Sequence, residues 1–165
     1  MRLFMFLLPV LVSIVLSCSK ADVSEGSASS VETTSVNKDL MLKIVNEVRQ
    51  KGCNCDGTYF GPAPALTWND LLEKAALSHA KDMYQNNYFS HTARDGSNAG
   101  VRIERAGYSW KTYGENLAQG YRTEKEVVDG WLSSPGHCKN IMNKSFREMG
   151  VAKVGSYWVQ EFAVR

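Results

Sequence analysis

The sequence predicts an α+β domain. Apolar residues recur at helical spacing in several segments ahead of residue 143, Gly/Pro-rich stretches separate those segments, and alternating apolar patterning is confined to the C-terminal MGVAKVGSYWVQEFAV. Helices first and strands mostly last do not fit a parallel sheet wound by repeated βαβ units. Residues 38–165 form a single domain of ordinary size, without internal repeats.

The chain opens with LFMFLLPVLVSIVL, residues 3–16, an apolar run broken only by Pro9 and Ser13 and preceded by Arg2. It is shorter than the roughly 20 residues a transmembrane helix needs, and has the length and flanks of a signal-peptide core. The run ends in VLSC, which resembles the lipobox of bacterial lipoproteins. Residues 1–17 are therefore expected to be a lipoprotein signal peptide, with Cys18 lipidated. An ordinary secretory leader with an incidental cysteine is the alternative. Residues 18–37, rich in Ser and Thr and without an aromatic residue, read as a flexible tether. The chain carries 19 Lys and Arg against 17 Asp and Glu. That near balance excludes the strongly basic face of a nucleic-acid binder. The expected location is the cell envelope, extracytoplasmic and membrane-anchored through the N-terminal lipid, or secreted.

Within the domain, NKDLMLKIVNEVRQKG starts at a candidate N-cap, Asn37, and places Met41, Ile44, Val45 and Val48 at helical spacing before a stop at Gly52. CNCDGTYFGPAPAL follows as a loop. A second helix begins near Trp68 and Asn69, with Leu72, Ala75, Ala76, His79 and Met83 on one face, so His79 reads as a core histidine. This helix runs out before His91. DGSNAGVRIERAGY suggests a short helix ending at Gly107, and YGENLAQGY is left unassigned. Thr123 and Glu126 form a T-x-x-E capping box ahead of Val127, Val128 and Trp131. That helix stops before Pro135, where Ser134 and Pro135 look like the N-cap and first residue of another short helix. Gly155-Ser156 suits a type II′ hairpin turn. In the last strand Trp158, Gln160, Phe162 and Val164 face one way, and Tyr157, Val159, Glu161 and Ala163 the other.

Six segments in order, PALTWNDLLEKAA, FSHTARDGS, R-x-x-x-AGY, YGENLAQGY, VVDGWLSSPGHCKNIM and YWVQEFA, resemble the CAP superfamily of cysteine-rich secretory proteins, antigen 5 and pathogenesis-related 1, most closely its short bacterial secreted branch. The resemblance covers roughly residues 40–165. It implies a three-layer α-β-α sandwich and a cleft where two histidines and two acidic residues converge. His91 matches the first histidine, Glu115 the first acid and His137 the second histidine. Ser134 stands where the second acid would be, so the tetrad reduces to a triad.

Neutral imidazoles are common zinc ligands, and a carboxylate can complete the shell or hold a bound water. Zinc is thus the candidate cofactor of His91, Glu115 and His137; a hydrogen-bonded cluster that only braces the cleft is the alternative. The resemblance implies an extracytoplasmic ligand and no established reaction. Two other functions stay open: a metal-assisted hydrolase of peptide or envelope polymer, and a surface interaction module with a vestigial cleft. Tyr88, Phe89, Trp110, Tyr113 and Tyr121 could line a groove, or pack; Trp131 and Trp158 read as core. Beyond Cys18 the domain has Cys53, Cys55 and Cys138. A C-x-C pair does not easily close on itself, so Cys138 is expected to pair with one of the two. The resemblance selects Cys55–Cys138, leaving Cys53 as a thiol; a three-cysteine zinc site is the rival.

Overall fold

The computed structural model describes residues 36–165; the expected signal peptide, the lipidation site Cys18 and the tether up to residue 35 lie outside the described residues. Helix α1 (Lys38–Lys51) opens where the Asn37 side chain accepts from the Leu40 amide at 3.0 Å and ends at Gly52. Helix α2 (Asp70–Asn86) starts at Asn69, whose Oδ1 accepts from the Leu71 and Leu72 amides. It ends at Asn87 in the left-handed conformation that Asn tolerates. Helix α3 is Ala99–Arg105, α4 is Glu124–Leu132 and α5 is Pro135–Met142.

The capping expectations hold in part. Thr123 Oγ1 accepts from the Glu126 amide at 3.3 Å, but Glu126 reaches back to the Arg122 amide, one residue beyond the expected partner. Ser134 occupies the N-cap of α5 with extended backbone and makes no side-chain cap, so that helix start rests on Pro135.

A four-stranded sheet has the order β3-β5-β6-β4, built from β3 (Thr67–Trp68), β4 (Thr112–Gln119), β5 (Glu148–Val154) and β6 (Tyr157–Val164). The β5–β6 hairpin turns at Gly155 (φ 56°) and Ser156 as expected. The unassigned YGENLAQGY segment is strand β4, antiparallel to β6. Its polar and small residues carry little strand propensity; pairing with the central strand makes it one. CNCDGTYF, expected as a loop, is a small hairpin of β1 (Cys53–Cys55) and β2 (Thr58–Phe60). Asp56 (φ 52°) and Gly57 (φ 79°) form its turn, as a D-G pair favours.

One side of the sheet packs against α1, α4 and α5, joining Met41, Val45, Val128, Trp131 and Ile141 to Val151, Trp158 and Phe162. The other packs against α2 and α3, with Ala76, Ala80 and Met83 on Leu117, Val154 and Val159, and Leu72 and Ile103 near Ala163. This is the expected α-β-α sandwich. The two faces of β6 separate as the sequence indicates, but both are buried because helices cover both sides of the sheet. Gly150 permits the close approach of α2: a Cβ there would lie 2.1 Å from the Glu73 backbone nitrogen. No helix among the described residues is long and apolar enough to cross a membrane.

Candidate functional site

Strand β4 lies at the sheet edge, so its residues are reachable from both helical layers. Glu115 lies on the side of Leu117, facing α2 and α3, while Asn116 faces α5. The loop after α2 carries His91 to Glu115: His91 Nδ1 lies 2.7 Å from Glu115 Oε1. An ionised carboxylate only accepts, so Nδ1 is the donor. In the neutral ring Nε2 then keeps its lone pair, on a side chain that is 60% exposed.

Arg102 of α3 secures this arrangement. Its guanidinium donates to Glu115 Oε2 at 2.5 Å, to the His91 carbonyl at 3.1 Å and to the Ser97 carbonyl at 2.8 Å. One buried cation therefore ties the His91 loop to β4. It belongs to the R-x-x-x-AGY segment, which gave no role to its arginine; a basic residue inside a short helix is the signal that was present.

Glu161 is a second residue that sequence reasoning missed. It pairs across the ladder with Glu115 and is wholly buried. Burial and the charge of Glu115 push its carboxyl well above the ordinary range. It therefore stays protonated beside Glu115, and both its oxygens are buried without a hydrogen-bond partner. Burial works to raise Glu115 as well, but the His91 hydrogen bond and the Arg102 charge outweigh it and hold Glu115 below the ordinary range. A carboxylate placed in an otherwise apolar strand face was the available signal.

His137 comes from the opposite layer. Arg49, fully buried in α1, donates to the carbonyls of Ile141 (2.6 Å), Asn143 (3.0 Å) and Pro64 (2.7 Å), fixing the end of α5. At its start, Asn116 Nδ2 donates to the His137 carbonyl at 3.2 Å, and Asn140 Nδ2 donates to the Glu115 carbonyl at 3.1 Å. The bridge Cys55–Cys138 links α5 to β1 across 83 residues. His137 is half-buried, and burial first, then the nearby His91, lower its pKa, so its imidazole is neutral.

The structure thus joins His91 to Glu115 directly. It places His137 close enough to feel His91 but not in one tight shell: among the described residues only Cys53, Cys55 and Cys138 bring three ligand atoms within 4.8 Å of one another. Cys53 keeps its thiol, with Sγ 3.8 Å from that of Cys138. The three sulfurs are spaced to hold a metal, and opening the Cys55–Cys138 bridge would free them as ligands. His79 is the core histidine expected, with Nε2 2.9 Å from the Ser90 carbonyl. Trp131 and Trp158 are core. Trp110 and Tyr113 stack edge to face at 4.5 Å over Gly100, and Tyr121 lies over Gly130, so these three pack structurally; Phe89 is 49% exposed.

The model of the cysteine-rich secretory protein family, CAP, matches residues 42–162. The chain is 34% identical over 144 residues to the uncharacterized protein YkwD of Bacillus subtilis (strain 168), covering 86% of this chain and 52% of that one. It spans between 38% and 54% of the length of the curated relatives it matches. Among solved structures, an extracellular SCP-domain protein of Bacillus anthracis superposes with TM-score 0.69 at 29% identity, covering 78% of this chain and 40% of the other. An outer surface protein of Borrelia burgdorferi superposes with TM-score 0.65 at 25% identity, covering 81% and 98%. By its matched residues and its fold, the chain belongs to the cysteine-rich secretory protein family.

Proposed function

We propose that this chain is an extracytoplasmic binding module, lipid-anchored through Cys18, that receives its ligand at the β4 edge through His91 and His137, with a divalent metal such as zinc. The observation that carries the reading is the His91 Nδ1 to Glu115 Oε1 contact of 2.7 Å, which aims an exposed Nε2 lone pair away from the carboxylate. Extracellular and outer-surface relatives support the location.

The donor set fits a weakly held metal. A metal-ligating histidine normally donates its other ring nitrogen to a carboxylate, which fixes tautomer and orientation. Glu115 does this for His91, and both its oxygens are already engaged, by His91 and Arg102. Glu115 therefore orients His91 from behind and is not itself a ligand. His91 and His137 would be the protein ligands, leaving positions for water or a ligand group. Bound there, zinc would act as a Lewis acid toward a ligand oxygen or nitrogen. Arg102 holds the His91 loop, and the Asn116–Asn140 pair holds His137 to the same strand.

The test is calorimetric titration of zinc into the full-length protein without reductant, beside a His91→Ala/His137→Ala variant. One site lost in the variant is the expected result. Equal binding by both, or none by the parent, would refute the metal-bearing cleft.

A further inference from the structure

A cavity lies between α2 and α3, behind the Glu115 cluster. It encloses about 530 Å³. Its wall is formed by α2 through Lys74, Lys81 and His79, by the 93–97 loop, and by α3 through Arg102 and Arg105.

Two fully or nearly fully buried side chains of this wall have an unsatisfied polar atom. Arg102, 6% exposed, spends both terminal nitrogens on Glu115, His91 and Ser97, but its Nε has no partner. His79, 0% exposed, has Nε2 on the Ser90 carbonyl and nothing on Nδ1. A carbonyl only accepts, so Nε2 carries the proton. Nδ1 is then a bare lone pair. Ser97 Oγ, also buried, lies beside Asp95 without completing a well-formed hydrogen bond to it. An unpaired buried polar atom is costly, and a native protein rarely leaves several together without a use.

The lining charges favour an anion. Arg105 neutralises Asp95 at 2.6 Å, and Asp82 is engaged by Asn86 and Tyr88. Lys74 and Lys81 have no acidic partner among the described residues. The chemistry required is therefore an oxyanion that accepts from Arg102 Nε and the Ser97 hydroxyl and also donates one hydrogen to His79 Nδ1. A phosphate monoester, whose second pKa is about 6, offers both, whereas sulfate has no proton to give.

We propose that the α2–α3 cavity is a binding site for a phosphate monoester, distinct from the His91–His137 cleft. Arg102 touches both, with Nε toward the phosphate and a terminal nitrogen on Glu115.

The proposal is tested with full-length protein by calorimetry, using inorganic phosphate, glycerol 3-phosphate and sulfate as probes. The two phosphates should bind, with sulfate weaker by about tenfold or more because it leaves the His79 lone pair unmatched. A Lys74→Glu/Lys81→Glu variant, altered only at the cavity mouth, should lose about tenfold in phosphate affinity while unfolding at the parent temperature. Phosphate binding no tighter than sulfate, no phosphate binding, or binding unaffected in this variant would each overturn the proposal. Given phosphate binding, vesicles containing phosphatidic acid identify the source. Cosedimentation with these vesicles in excess of that with phosphatidylcholine alone, and lost in the Lys74→Glu/Lys81→Glu variant, supports a lipid headgroup at the same site, and equal cosedimentation with both vesicles supports a soluble phosphate ester there.

Discussion

Replacing Glu161 by Gln is expected to change how stability depends on pH, and the sign follows from the buried pair. Glu161 in the folded state holds its proton well above the ordinary carboxyl value of 4.5. From that value up to its raised pKa, the folded chain binds a proton that the unfolded chain releases, so stability falls as pH rises. The slope is about 1.4 kcal/mol per pH unit, on the order of 5 °C in Tm for a domain of this size. His79 and His137 work in the opposite sense: their lowered pKa values make stability rise with pH up to the unfolded value of 6.5. They mask Glu161 in the parent, but the difference between parent and Glu161→Gln cancels them. Gln is neutral like the protonated acid, nearly isosteric, and can donate toward Glu115, so the packing is kept. Urea denaturation followed by tryptophan fluorescence, upward from about pH 5, should show the variant gaining on the parent by that slope until the raised pKa of Glu161 is passed. Parallel profiles would refute the buried, protonated Glu161.

Two further outcomes follow from packing. Removing the Cys55–Cys138 bridge by Cys138→Ser should cost about 4.5 kcal/mol by chain entropy for a separation of 83 residues, whereas Cys53→Ser should leave the denaturation midpoint in place; equal effects of the two would contradict the pairing. Gly150→Ala should cost about 3 kcal/mol or more, or abolish folding, because the added carbon meets α2 backbone and no flexible side chain; a parental Tm would contradict that close approach.

The helices were legible because each carries its own local signals. Asn37 and Asn69 cap α1 and α2 as their positions indicate, and the apolar face of α2 correctly encloses His79. Strand β4 was not legible, since Gly114, Glu115 and Asn116 form a strand only through pairing with Phe162, Glu161 and Gln160. The same nonlocality hid Glu161, which pattern counting places among apolar neighbours and only the ladder sets opposite Glu115. His91, Glu115 and His137 were named through their motifs; only space shows that Glu115 contacts His91 directly and that the two histidines come from opposite layers of the sandwich. Arg102 was visible as a letter in a motif, but its three hydrogen-bond partners converge only in space.

The central claim is that Glu115 fixes His91 with its proton on Nδ1 and its lone pair on Nε2. Long-range proton–nitrogen correlation spectra of histidine-labelled protein at neutral pH read that tautomer directly. The account predicts an Nδ1-protonated His91 in the parent and loss of that preference in Glu115→Ala. An Nε2-protonated His91 in the parent would contradict it.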